Sequence, residues 1–442
     1  MKSRISLILL VTLLALLNAR SASAGSATWN LNPISGDWNN PANWAPMTVP
    51  NGIADIATFD LSNTTNVSLS ANTAVSGIVF NATAAPYTVS VSAPITLTIS
   101  GTGITNNSAN SQSFVADPGT IASESIVLTF ENNASAGSGT IFTANGAHLR
   151  FGAGAEILFR DNSSAGTGLF LPQDGTVDGG FGGKISFEGN ASAANASFVT
   201  NDHTTRAGTP LIVFLDDATA ANATFTLGGS VSSLPTNLEF LDNSTADHAV
   251  ITLNGGSNGG YGAVVSFTET ASAGAATITA QDGATTGIGG SIYFGDDTSG
   301  GTAQVAVIGT ALLYTGRHNP PGVTIGSLEG SGNVYINNTL TIGSNNLSTT
   351  MSGLLSDVGG FLLGAVAKIG TGTLTLSGAN TYTQGTVISG GGLLVANTTG
   401  SATGTGAVQV NGGFLGGPGI IAGDVTIGTG SGPEAAADKK TR

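Results

Sequence analysis

Apolar residues in the middle of the chain recur at a nearly constant spacing. Seven of the phenylalanines from position 130 to position 294 lie 29, 28, 27, 26, 27 and 27 residues apart. An aliphatic residue stands two positions before each of them, and an apolar residue stands eleven positions after it. The first pair has the period of two that is typical of a strand. The residue at plus eleven predicts a second strand in each repeat. The seven residues are Phe130, Phe159, Phe187, Phe214, Phe240, Phe267 and Phe294.

Repeats of this length indicate a solenoid. One unit of about 27 residues cannot bury its own apolar row, whereas stacked units place each phenylalanine over the next in a continuous core. We therefore predict an all-β protein, a right-handed parallel β-helix, in which the register from minus two to plus eleven is the same in all seven copies. A serine or threonine five positions after each phenylalanine predicts a column of hydroxyls that bond along a ladder.

The first 24 residues have the parts of a secretory signal peptide. Lys2 and Arg4 precede an apolar run over residues 5–17, and small residues mark a cleavage site between Ala24 and Gly25. The run is shorter than the ~20 residues that span a bilayer. No later segment of the sequence is expected to cross a membrane as a helix. We expect a protein that uses export machinery and is secreted or held at the cell surface or outer membrane.

Charge and cysteine content exclude several classes of partner and site. Removal of Lys2, Arg4 and Arg20 with the signal leaves nine basic against 26 acidic residues, a net charge of −17. Nucleic acid and anionic membranes are therefore poor partners. The chain has no cysteine, which excludes a disulfide framework, a zinc–thiolate site and a cysteine nucleophile.

Residues 25–125 form a distinct opening module, followed by the seven repeats over residues 126–305. The module contains all three tryptophans, Trp29, Trp38 and Trp44, among turn-forming residues, and alternating runs that predict the first coils follow them. We favour a cap that covers the open end of the solenoid, because terminal repeats are atypical. The weaker alternative is a platform on which sugar rings stack.

A second recognisable passage lies near the C-terminal end, after irregular coils predicted for residues 306–367. It contains the run Gly372-Thr373-Leu374-Thr375-Leu376-Ser377-Gly378-Ala379-Asn380-Thr381-Tyr382-Thr383. Residues 368–430 resemble the autotransporter-associated β-strand repeat, or passenger-associated transport repeat, although Gln384 replaces a glycine that is usual there. The resemblance implies a right-handed β-helical passenger of a bacterial autotransporter, in which the repeat assists export and folding. Residues 431–442 form a polar tail.

Acidic residues recur two positions after several phenylalanines, or directly beside that position. They are Asp161, Asp216, Asp217, Asp242, Asp296 and Asp297. Polysaccharide lyases and hydrolases use carboxylates, but a residue that recurs in every coil is more typical of a turn that it stabilises by bonding its own backbone. Calcium binding by this column is a weak alternative.

The four histidines lack a metal-binding spacing and are expected in loops. We predict no catalytic, cofactor-binding or metal-binding residue.

These observations favour an exported, non-enzymatic rod with a structural or adhesive role. Its partners would be cell-surface glycans or matrix, bound by the variable loops that follow the second strand of each repeat. Two alternatives remain, namely a polysaccharide-degrading lyase or hydrolase and a glycan-binding module.

Overall fold

The computed structural model describes residues 25–120, 125–203, 207–231, 234–359 and 362–428. Within these ranges the chain forms β-strands and turns, with one short 3-10 helix at Pro41–Asn43. The strands build about 15 turns of a β-solenoid, about 26 residues apart. The predicted all-β solenoid is therefore confirmed. The predicted signal peptide and polar tail lie outside the described residues. Within the described ranges we find no helical segment with the length and hydrophobicity of a membrane span.

Sheet A runs along one side of the solenoid and has 15 strands. All neighbouring pairs are parallel except the first two strands, which are antiparallel. In chain order its strands are Ala27–Trp29, Trp44–Ala45, Gly52–Phe59, Thr73–Phe80, Leu97–Asn106, Ser125–Phe130, Ala155–Phe159, Lys184–Phe187, Leu211–Phe214, Asn237–Phe240, Val264–Phe267, Ser291–Asp296, Leu312–His318, Asn333–Ile336 and Leu355–Asp357.

Sheet B contains the remaining strands and begins one coil later. Its strands are Asn66–Ser68, Thr88–Ser92, Gln112–Asp117, Thr140–Ala144, Leu169–Pro172, Ser197–Val199, Thr224–Leu227, Val250–Leu253, Thr277–Ala280, Gly300–Val307, Thr324–Gly330, Asn338–Ile342, Thr349–Met351, Gly364–Lys368, Thr373–Leu376, Thr386–Ile388, Gly392–Val395, Val408–Val410, Phe414–Gly416 and Val425–Ile427. After Thr324–Gly330 the sheet divides into two parallel ladders. The coils there are shorter. For example, Leu374 pairs with Leu393, which lies only 19 residues later in the chain.

The phenylalanine column fills the core beside sheet A. Consecutive rings from Phe130 to Phe294 stack with centroids 4.5–5.0 Å apart and planes within 11° of each other. Each side chain is at most 1% exposed, and burial of one such ring stabilises the fold by roughly 1.5–3 kcal/mol. The column predicted from the spacing is present in every repeat.

The constant register predicted for the second strand is wrong in the first repeat. Phe142, not Ile141, is buried and pairs with Phe170. Ser135 still pairs with Ser164, so the first coil contains one more residue between its turn and its second strand. Two glycines in that turn have positive φ angles of 75° and 63°, a conformation that glycine adopts without strain. They accommodate the extra residue.

The three tryptophans pack together at the N-terminal end of the core. Trp29, Trp38 and Trp44 are at most 1% exposed, and ring centroids within the group are 5.0 and 5.1 Å apart. Each indole N–H donates to a backbone carbonyl oxygen. Trp44 also belongs to the edge strand of sheet A. This is the arrangement of a cap. The alternative stacking platform is not supported, because burial leaves no indole face for a sugar.

Candidate functional site

The hydroxyl column stabilises turns within each coil. Every Oγ in the column accepts the backbone N–H of the residue two positions later, at 3.0–3.1 Å. That later residue always has a positive φ, between 49° and 75°. The expected ladder of side-chain hydroxyls is therefore wrong, and backbone bridges connect the coils at this corner. The column consists of Ser135, Ser164, Ser192, Thr219, Thr245, Ser272 and Ser299.

The position two residues after each phenylalanine also lies in a turn with positive φ, between 49° and 65° in all seven repeats, and it is acidic in five of them. Its carboxylates accept the backbone N–H of the equivalent residue in the preceding coil, at 2.8–3.1 Å. The predicted turn role is thus present, but the bond leads to the neighbouring coil. Among the described residues no group of three or more histidine, aspartate or glutamate side chains could hold a metal ion. The carboxylates of this column are Asp161, Asp216, Asp242, Glu269 and Asp296.

The histidines do not converge on one site. His148 and His248 are exposed. His203 is buried against Asp174. His318 ends a strand of sheet A, and its ring nitrogens lie 2.8 Å from two backbone carbonyl oxygens. The prediction that each histidine lies in a loop is therefore wrong for His318, which is buried at the end of a strand.

A groove on the outer face of sheet A brings together residues that the sequence analysis did not single out. Tyr293, Tyr314 and Tyr335 lie opposite one another in three successive strands, and neighbouring residues in each strand are buried while the tyrosines face outward. The rings of Tyr293 and Tyr314 have centroids 5.5 Å apart and are tilted by 55°. The groove beside them has a volume of about 510 Å³. We call it the tyrosine groove.

Small residues create the depression in this face. Ser266, Thr268 and Gly295 line the groove, and a Cβ atom built on Gly295 would meet no atom closer than 3.8 Å. Gly316 has a different role, because a Cβ atom there would lie 2.3 Å from Cζ of Tyr314. The Tyr314 ring therefore rests against the backbone at a position where any larger residue would displace it.

A β-bulge turns Arg317 toward the same face. Tyr293 pairs with Tyr314, but Gly295 pairs with Arg317, so the strand Leu312–His318 contains one extra residue. Simple alternation from Tyr314 would point residue 317 inward, whereas Arg317 is exposed and lines the groove. Bulges often redirect a side chain beside a binding site. The sequence signal for the groove is the 21-residue spacing of the three tyrosines, which differs from the period of the phenylalanines.

The recognisable run near the C-terminal end forms the strand Thr373–Leu376 of sheet B and the connection that follows it. Asn380 is 2% exposed; its side-chain oxygen accepts the N–H of Leu355 at 2.8 Å, and its amide donates to the carbonyl oxygen of Ala402 at 2.6 Å. Tyr382 is fully buried, with its hydroxyl 2.7 Å from Oγ of Thr386. One asparagine thereby links three successive coils.

The family model described as Passenger-associated-transport-repeat matches residues 366–395. The chain carries this repeat. The repeat and the β-solenoid together fit an autotransporter passenger-like β-helix. Searches of curated proteins and of solved structures gave no match.

The repeat also contains a buried lysine whose charge should make stability depend on pH. Lys368 is 0% exposed and its ammonium donates to the carbonyl oxygen of Ile369. Burial lowers its pKa below the ordinary value of 10.5. Between the lowered pKa and 10.5 the unfolded chain binds more protons than the folded one, so the free energy of unfolding rises with pH, by at most about 1.4 kcal/mol per pH unit. Urea unfolding measured from about pH 7.5 to 10 checks this.

Lys368→Met should remove the rise, whereas Lys184→Met, at a partly exposed lysine paired with Glu156 at 3.1 Å, should keep it. A flat wild-type profile of unfolding free energy against pH would contradict the effect.

Above about pH 10 the free energy of unfolding should fall as pH rises, because burial raises the pKa of Tyr87 to about 12 and also raises that of Tyr382. Groups with a raised pKa lose their contribution as pH rises toward the folded value.

Proposed function

We propose that this protein is an exported rod of the autotransporter passenger type, acting at the bacterial cell surface or outside the cell, and that it adheres to glycans through the tyrosine groove. The observation that carries the proposal is the row of three outward tyrosines in register beside a groove. The transport repeat supports export, since such repeats belong to passenger proteins that leave the cell.

The chemistry of the groove suits a sugar. The face of an aromatic ring carries partial negative charge, which attracts the weakly positive C–H groups on one side of a pyranose ring. Each tyrosine also offers a hydroxyl that both donates and accepts a hydrogen bond. The groove volume of about 510 Å³ lies in the usual range of about 300–1,000 Å³ for ligand sites. Successive strands about 4.8 Å apart repeat the same contact along the rod, as a polymeric glycan requires.

The lining of the groove favours binding without turnover. Most glycoside hydrolases use a pair of carboxylates that flank the scissile bond. Of the described residues that line the groove, none is an aspartate or glutamate. The carboxylates of the acidic column accept hydrogen bonds from the preceding coil and recur in five of the seven repeats, so they do not form one isolated catalytic pair. A polysaccharide-degrading enzyme is therefore the weaker candidate.

Replacing Tyr314 with alanine should weaken glycan binding by about tenfold or more, as expected for loss of a central aromatic contact worth about 1.4 kcal/mol or more. The measurement is a panel of glycans and polysaccharides presented to the exported chain, whose N-terminus is expected at Gly25. Binding is scored together with release of reducing or unsaturated ends. Tyr261→Ala is the matched control, because that tyrosine is 43% exposed and lies outside the groove.

Two outcomes would contradict the proposal. Unchanged binding by the Tyr314 variant, or an equal loss of binding in the Tyr261 variant, would show that the groove does not bind the glycan. Product formation that disappears on Asp216→Asn combined with Asp217→Asn would make the protein an enzyme and place its chemistry in the acidic column.

A further inference from the structure

We infer that the tyrosine groove selects glycans that carry a carboxylate, such as uronic acid residues, and that Arg317 is the residue that binds the carboxylate. The inference rests on the proposed function of the same groove. It adds the ligand class, which neither the repeat nor the row of tyrosines specifies.

Arg317 differs from the other basic side chains in the described part of the chain. Arg160 pairs with Glu131 and Lys184 pairs with Glu156. The guanidinium of Arg150 lies 4.8 Å from the centre of the Phe151 ring. Lys368 is buried, and its ammonium donates to a backbone carbonyl oxygen. Within the same described ranges no carboxylate pairs with Arg317. Its charge is available to a ligand.

The backbone conformation of the strand exposes Arg317. The bulge places it outward, while the buried side chains of Thr315 and His318 hold the backbone on either side. Thr315 is 1% exposed, and its Oγ accepts the N–H of Asn337 at 3.2 Å. His318 is 6% exposed and contacts the carbonyl oxygens of Thr298 and Asn319. The guanidinium thus projects from an anchored backbone beside the tyrosines.

Guanidinium and carboxylate match in shape as well as in charge. The planar guanidinium presents its N–H donors as a fork that both oxygens of one carboxylate can accept, and this bidentate pair is stronger than a hydrogen bond between neutral groups. A sugar ring packed on Tyr314 would bring a carboxylate on that ring to Arg317, because the two side chains share one face of one strand.

The surroundings favour a glycan with one carboxylate per sugar over a glycan with several sulfates per sugar. The exported chain carries a net charge of −17, and Asp296 and Asp297 follow Gly295 at the edge of the groove. Both carboxylates accept hydrogen bonds, from the N–H of Glu269 and the amide of Asn319, and neither pairs with Arg317 among the described residues. They still repel a densely sulfated chain. A single carboxylate on each contacted sugar suits the one guanidinium that lines the groove.

The test compares three ligands with the same exported chain by titration calorimetry: an oligogalacturonate, its methyl ester and a sulfated oligosaccharide. The acid and the ester share the same sugar rings and differ in charge. We expect the acid to bind about tenfold more tightly than the ester, the effect of one charge-assisted contact, with a preference that shrinks as salt increases. Arg317→Gln should abolish the preference and retain ester binding, while Arg317→Lys should restore part of it. Arg150→Gln is the control for loss of an exposed arginine elsewhere.

The outcomes separate the two proposals. Equal binding of acid and ester by the wild type, or a preference that survives Arg317→Gln in a variant with unchanged circular dichroism, would overturn the assignment of Arg317 and leave the groove a site for neutral sugars. Tighter binding of the sulfated ligand would overturn the carboxylate as the group selected. Failure of all three ligands and of the wider panel would instead overturn the glycan-binding function itself.

Discussion

Replacing Phe214 with aspartate should divide the solenoid into two halves that no longer unfold together. Phe214 is 0% exposed and stacks between Phe187 and Phe240, with centroids 4.5 and 4.8 Å away. A carboxylate at this position would be buried without a partner, which is among the most destabilising changes that a core can undergo. Because each coil contacts only its neighbours, loss of one interface interrupts the coupling along the rod.

The effect is measured by calorimetry and by limited proteolysis of the folded protein. We expect Phe214→Ala to lower the free energy of unfolding by about 3–5 kcal/mol and Phe214→Asp to replace one cooperative transition with two, accompanied by cleavage in the middle coils. Val250→Ala, at a valine that is 47% exposed in the same part of the rod, should change stability by less than about 0.5 kcal/mol. A soluble aspartate variant with the melting profile of the wild type would contradict the stacked-ring account of stability.

Removing the side chain of Asn380 should loosen three coils at once. The alanine variant leaves the N–H of Leu355 and the carbonyl oxygen of Ala402 without the partners that the structure gives them. Each buried polar group left unsatisfied costs about 1–3 kcal/mol, so the two together predict a loss of about 2–6 kcal/mol.

Hydrogen exchange at the Leu355 amide is the direct measurement, since its N–H loses its acceptor in the Asn380 variant. Exchange should accelerate there and in the following coil, while the phenylalanine coils around Phe214 remain protected. Asn411→Ala is the control, because Asn411 is exposed and its side-chain oxygen accepts a hydrogen bond from Gln409. Equal protection in both variants would show that Asn380 does not hold the coils together.

The periodicity of the sequence predicts the core well and the turns less well. The phenylalanine column follows from spacing alone, since only a stacked arrangement buries seven equivalent rings. The register of the second strand in the first repeat could not be predicted in this way. Ile141 and Phe142 are both apolar, and the extra residue lies in a turn rich in glycine. The acidic turn positions are predictable from residue type, but the hydrogen bond that each carboxylate accepts from the preceding coil depends on how the coils stack.

The tyrosine groove shows where alternation fails. Counting from Tyr314 places residue 317 toward the core, and only the bulge in the strand reverses this. The space beside the rings depends on the small residues Ser266 and Gly295. Ser266 pairs with Tyr293 in the neighbouring strand, a contact that follows from the register of the strands and from no motif in the sequence.

The row of carboxylates along one edge of the rod makes its stability sensitive to dissolved salt. Asp216, Asp242, Glu269 and Asp296 belong to four successive coils, and one strand spacing of about 4.8 Å separates neighbours. This is shorter than the Debye length of about 8 Å at physiological ionic strength, so adjacent charges still repel there while more distant ones are screened. In a dilute medium, where the Debye length reaches about 30 Å at 0.01 M, the whole row repels. The rod is therefore better suited to saline surroundings than to fresh water.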